Sequence, residues 1–194
     1  MIEKEVFAII GIILTLIGYS AYIYSIFKGQ TRPHPFSWAI WGLLTAIGFF
    51  AQMADNAGSG AYITGLSAAI TLFIAVIGYI KRSEIKITKA DFITFIAALL
   101  AIPLWLITDT PLYSVILITI IDAVAFYPTF AKTWHSPHQE LPLQTIMAAA
   151  KFILSLLALD NYTVITVLYP LSLVIMNIAF LILLYSRKWM LKYA

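Results

Sequence analysis

The chain has no cysteine, which excludes disulfides, thiolate chemistry and cysteine-ligated metal sites. Charge is scarce: Asp, Glu, Lys and Arg make up 11% of residues, where a soluble domain carries about a quarter. No H-E-x-x-H, glycine-rich phosphate loop or nucleophile elbow occurs, so no adequate set of acid, base and nucleophile is visible and an enzyme is not expected. In their place, 62% of residues are hydrophobic and fall in long blocks between short polar loops. That is the pattern of a polytopic helical membrane protein, with the lipid bilayer as its first partner. The sequence pI near 9.0 does not point to nucleic acid, because the basic residues lie in loops between apolar blocks and read as topology signals. The first block is too long, and its MIEKE flank too mixed in charge, for a signal peptide; it is read as a membrane helix.

Seven apolar segments can be drawn: Val6–Phe27, Phe36–Met53, Ala61–Ile80, Asp91–Thr108, Leu112–Lys132, Leu141–Asp160 and Tyr162–Tyr185. Each is expected to cross roughly 30 Å of hydrocarbon at about 1.5 Å per residue. Thr88 and Asp91 are spaced like a capping box before the fourth. Odd loops and the tail carry Lys28, Arg32, Lys81, Arg82, Lys86, Lys89, Lys132, Arg187, Lys188 and Lys192. Even loops carry only Asp55, Asp109 and Asp160. Basic loops face the cytoplasm, so the N-terminus is placed outside and the C-terminus inside.

The stretch Leu112–His138, LYSVILITIIDAVAFYPTFAKTWHSPH, has a counterpart early in the chain. Ala21, Lys28, Pro33 and His34 align without gaps with Ala125, Lys132, Pro137 and His138. One residue out of that register, Leu66, Ser67, Ile70 and Arg82 align with Leu171, Ser172, Ile175 and Arg187. The expected fold is therefore all-α with seven transmembrane helices, arranged 3+1+3. Residues 1–83 form one three-helix unit, 84–110 a linker helix, and 111–194 a second unit with a short cytoplasmic tail. The linker adds one crossing, so the two units lie parallel about an axis along the membrane normal, one of the repeat designs of transporters.

This topology resembles the SWEET and PQ-loop transporter superfamily, including the vitamin-precursor transporters of the PnuC type. In the second unit AFYPTFAKTW keeps the proline and lysine of the family pattern as Pro128 and Lys132, with Thr129 in the glutamine position. YIYSIFKGQT in the first unit has neither residue of the proline–glutamine pair. The resemblance implies transport of a small polar solute, no cofactor, and assembly as homotrimers. Sugar-type members contact substrate through an asparagine in the third helix of each unit; Asn177 matches in the second unit, while its partner position falls at Leu72 or Phe73.

Asp122 and Lys151 are the charged residues well inside the spans. A charge at mid-bilayer costs about 3 kcal/mol or more on insertion scales, so it pairs or faces a cavity. Two readings follow: a structural ion pair between the fifth and sixth segments, or a substrate-binding or proton-coupling site. Their repeat partners, Gly18 and Ile47, are uncharged, which makes such a site asymmetric. Trp38 and Trp41, one turn apart, are either interface anchors or an aromatic wall against substrate. Tyr24 and Tyr127 lie near the ends of matching helices and are expected at an inner gate; Gln52 is a further candidate polar contact. Ser67, Thr71, Ser155 and Ser172 are expected in the cavity or back-bonded to their own helices. Pro128 and Pro170 are expected kinks, either hinges for rocking between two access states or static bends. His135, His138 and Glu140 read as a solvated loop rather than a metal site.

The expected function is a transporter of a small polar solute (sugar, nucleoside, vitamin precursor or amino acid) working by alternating access, either facilitative or proton-coupled with Asp122 as the titrating group. The alternative is a noncatalytic assembly or sensor protein held by an Asp122–Lys151 pair. A retinal photoreceptor needs a lysine in its last helix, whereas the buried lysine here lies in the sixth segment.

Overall fold

The computed structural model describes residues 2–31, 33–81, 89–135, 137 and 142–193. Arg32, Arg82, Lys86, Thr88, His138 and Glu140 lie outside the described residues, as do the side chains of Asp91, Pro128 and Lys132. The described residues form eight helices: α1 (Ile2–Phe27), α2 (Pro35–Ala54), α3 (Gly60–Ile80), α4 (Lys89–Thr108), α5 (Pro111–Ala125), α6 (Tyr127–His135), α7 (Pro142–Leu157) and α8 (Val164–Tyr193).

The starts of α2 and α5 are built alike. Pro35 and Pro111 open them, where the missing N–H costs nothing. His34 and Thr110 precede those prolines, and their side chains accept from Ser37 N–H (3.3 Å) and Leu112 N–H (3.4 Å). The expected fifth segment divides at Phe126, between α5 and α6. Pro128 brings no N–H, so the carbonyl four residues back is left without its helical donor and the ladder is interrupted there. The last helix runs through Arg187, Lys188 and Lys192 rather than ending before them. That stretch holds no breaker, and basic side chains complement a helix C-terminus.

Five stretches are long and apolar enough to cross a membrane: Glu3–Phe27, Pro35–Ala54, Gly60–Ile80, Pro111–His135 (α5 with α6) and Val164–Lys192. The other two expected segments form shorter apolar helices. The apolar part of α4 is Phe95–Thr108, and α7 has 16 residues, which covers about 24 Å. Ile13, Ile17, Phe73, Ile107 and Ile182 are among many large apolar side chains exposed on the outside. A water-soluble monomer does not leave such an area uncovered. Together these features mark an integral membrane protein.

Helix packing follows one rule twice. α3 packs on both α1 and α2, and α8 packs on α5, α6 and α7. Across the middle, α1 meets α7 and α2 meets α5, while α3 meets α7 and α2 meets α8. Exchanging α1 with α5–α6, α2 with α7, and α3 with α8 leaves this pattern unchanged. α4 stands apart from it, packing mainly on α5 and α2. The main core, with Leu44, Val115, Ile118 and Leu173, lies where α2, α4, α5 and α8 meet.

The two ends of the bundle differ. At one end the α2–α3 loop grips the α7–α8 loop. Gly60 N–H donates to Ala158 C=O (3.0 Å), and Asp160 N–H to Ala57 C=O (2.8 Å). Asn161 donates to the Asp55 carbonyl (2.8 Å), Ser155 to the Gly60 carbonyl (2.8 Å), and the Thr163 hydroxyl to the Asp55 carboxylate. Gly58, at φ 72°, takes the left-handed backbone that brings this loop against Asp160, where a side chain would collide. Lys4 bridges to Asp160 at 3.5 Å. At the opposite end the lysines and arginines gather: Lys81 lies 4.4 Å from the Phe27 ring, and Arg187 stacks 4.4 Å from Trp134 while donating to its carbonyl.

Candidate binding cavity

A cavity of about 460 Å³ lies inside the bundle. Its wall takes residues from α1, α2, α3, α5, α6, α7 and α8 and, among the described residues, none from α4. On each helix the lining residues repeat at helical spacing: Thr15, Tyr19 and Tyr22 on α1; Trp38, Trp41 and Thr45 on α2; Tyr169, Leu173 and Asn177 on α8. On α1 the opposite face carries Ile9, Ile13 and Ile17, exposed to the outside. The lining runs from mid-depth, at Ser67 and Tyr169, toward the basic end, at Tyr22, Trp38, Thr129 and Gln144.

Both intramembrane charges line this cavity. Asp122 is 3% exposed and Lys151 6% exposed. They form no ion pair, which corrects the structural-pair reading. Lys151 is engaged elsewhere: its Nζ donates to the Ser67 hydroxyl (2.9 Å) and the Tyr19 hydroxyl (3.1 Å), and lies 4.4 Å from the Tyr19 ring. Two neighbouring hydroxyls have a fixed polarity, because each carries one proton. Thr71 spends its proton on the Ser67 carbonyl (2.6 Å), so Tyr19 must donate to Thr71 (3.1 Å). Thr45 likewise donates to the Trp41 carbonyl (2.7 Å), so Tyr169 donates to Thr45 (3.3 Å). No hydrogen bond from the described residues reaches the Asp122 carboxylate.

Trp38 and Trp41 form an edge-to-face pair with ring centroids 5.8 Å apart, and Tyr22 lies 4.8 Å from Trp38. Both tryptophans line the cavity, as an aromatic wall. Asn177 also lines it and donates to the Leu173 carbonyl of its own helix (2.7 Å). Of the four serine and threonine candidates, Ser67 and Thr71 belong to the lining. Ser155 bonds to Gly60 and Ser172 back-bonds to Tyr169 (2.7 Å).

Two expected contacts lie elsewhere. Tyr127 is 73% exposed and Tyr24 62% exposed, and neither lines the cavity. Asp122, Phe126 and Thr129 share the inward face at i, i+4 and i+7. Tyr127, five residues beyond Asp122, points about 140° away at about 100° per residue. Gln52 is fully buried between α2 and α8, outside the cavity, and donates to the Thr166 carbonyl at 3.0 Å. Pro170 explains that bond. Lacking an N–H, it cannot bond the carbonyl four residues back, and Gln52 supplies the missing donor. Pro170 itself lies inside a helix that continues on both sides.

The sequence reading missed Tyr19, Tyr22, Thr45 and Tyr169. The available signal was the polar run Thr15, Tyr19, Tyr22 at i, i+4 and i+7 in an otherwise apolar helix. His135 is exposed, and no metal-holding cluster occurs among the described residues. No protein-family model, curated protein or solved structure matches the chain.

Proposed function

We propose that this chain is an integral membrane transporter of a small polar solute, working by alternating access between two parallel three-helix units joined by α4. The units are α1–α3 and α5–α8, with α5 and α6 acting as one broken span. One observation carries the reading: among the described residues, the cavity is walled by every helix of both units and by none of the linker. A packed assembly protein has no use for a chamber lined by two opposite charges that do not pair with each other. The exchange symmetry of the helix contacts supports it, as does the resemblance to the SWEET and PQ-loop superfamily in topology.

The loop clasp at the Asp55–Asp160 end closes the cavity there, while its lining continues toward the basic end. With basic loops cytoplasmic, this is an inward-facing form, with the N-terminus outside. Transport then requires the clasp to part while the basic ends of the two units converge. Asp122 is the one carboxylate among the lining residues, and so the group through which a proton gradient would act.

The test is uptake by the purified protein in proteoliposomes of radiolabelled glucose, uridine and a mixture of amino acids. Accumulation of one class above protein-free liposomes, saturable and lowered by Lys151→Met, is the expected result. Equal counts with and without protein for every class would remove the proposal.

A further inference from the structure

We propose that the cavity takes a zwitterion of the α-amino acid class, its ammonium on Asp122, its carboxylate on Lys151, and an apolar side chain against Trp38 and Trp41. This rests on the transport reading and names the substrate class of the same site.

Two opposite charges, Asp122 and Lys151, are buried against the cavity. Each is costly in a low-dielectric interior unless compensated. The obvious compensation, each by the other, is not used. Lys151 has two of its three N–H bonds committed to Ser67 and Tyr19, which hold the ammonium in place and leave one donor for an incoming acceptor. Asp122 receives no hydrogen bond from the described residues, although it is 3% exposed and faces the cavity. The site thus offers one acceptor and one donor of full charge, on opposing helices of the second unit.

Three solute classes can be weighed against that arrangement. A cation pairs with Asp122 but adds a charge of the same sign as Lys151. An anion does the reverse. A neutral sugar strips water from both charges and neutralises neither. A zwitterion answers both and leaves the net charge of the closed cavity unchanged, so the loaded form crosses between states with no uncompensated charge. The remaining wall is aromatic, with Trp38 and Trp41 edge to face at 5.8 Å and Tyr22 at 4.8 Å from Trp38, which favours an apolar or aromatic side chain. A volume of about 460 Å³ admits one amino acid rather than a long peptide.

The experiment uses the full chain in detergent and follows its thermal unfolding midpoint with L-phenylalanine, L-leucine, phenylalanine methyl ester, N-acetylphenylalanine, glucose and uridine. A free amino acid is expected to raise the midpoint, and the ester and the N-acetyl compound to need at least tenfold more for the same shift. Asp122→Asn is expected to abolish the residual effect of the ester but spare that of the N-acetyl compound. Lys151→Met is expected to do the opposite, a reciprocal pattern that general unfolding does not produce. Should either variant fail to fold, the wild-type series decides. An ester as effective as the free amino acid overturns the proposal, as does a shift by glucose or uridine with none by either amino acid, or no shift by either amino acid. Uptake of glucose or uridine with no amino-acid binding sinks this inference and leaves transport standing. Amino-acid binding without uptake upholds it and sinks transport.

Discussion

Gln52 on α2 donates its side-chain amide to the carbonyl of Thr166 on α8, the carbonyl that Pro170 leaves without a helical partner. A proline in a membrane helix is tolerated when a neighbour re-satisfies the freed backbone group. Here that neighbour belongs to the other half of the chain. Removing the donor, as in Gln52→Leu, leaves a buried carbonyl unmet and is expected to cost about 1–3 kcal/mol. Pro170→Ala restores an N–H within α8, so Gln52→Leu should cost clearly less in that background. A double-mutant cycle on the unfolding midpoint measures the coupling. Equal costs in both backgrounds would separate Gln52 from the proline.

Tyr19 joins Lys151 to Thr71 through one hydroxyl. Tyr19→Phe removes a hydrogen bond to a charged group and is expected to destabilise by about 1.5–3 kcal/mol. Tyr24→Phe, five residues along the same helix but exposed, is expected to change stability by less than about 0.5 kcal/mol. Thermal unfolding of the two variants side by side checks the contrast.

The aromatic wall gives an optical prediction. Of the five tryptophans, Trp38 and Trp41 line the cavity. Ligand-dependent change in tryptophan emission should vanish in the Trp38→Phe, Trp41→Phe double variant. It should persist when Trp134 and Trp189, both exposed, are replaced by Phe. Tyr127→Ala should leave ligand affinity unchanged. A loss of affinity in that variant would return Tyr127 to the site.

The helices were legible because lipid demands long apolar runs, and the two charges because a charge inside such a run is expensive enough to stand out. Asp122 and Lys151 were found together for that reason. Tyr19, Tyr22 and Tyr169 were not, because a tyrosine suits the lipid boundary as well as a cavity wall, and composition cannot separate the two faces. Tyr127 was misplaced by pairing it with Tyr24 in the repeat without following the helix angle from Asp122. Gln52 was misread because its reason for being there, Pro170, is far away in the chain and meets it only in the fold. The break at Phe126 was foreshadowed by Pro128, and the shortness of α7 was not, since its boundary is set by the α2–α3 loop that docks on it.

At the clasped end the exposed Lys4–Asp160 bridge contributes little: Lys4→Ala is expected to cost at most about 1 kcal/mol, and to leave uptake intact. The backbone bonds from Gly60 to Ala158 and from Asp160 to Ala57 hold this end instead. Unfolding and uptake of the Lys4→Ala protein check that division.

The measurement that bears most directly on the alternating-access account exploits the absence of native cysteine. Ser59 reaches the Ala158 carbonyl across the clasp at 3.2 Å, and Ser59→Cys with Ala158→Cys is the pair chosen to seal it with a disulfide. In proteoliposomes the joined protein should still bind solute from the basic side, should carry none across, and should recover uptake when the disulfide is reduced. Uptake that continues at the same rate with the clasp sealed would contradict the account.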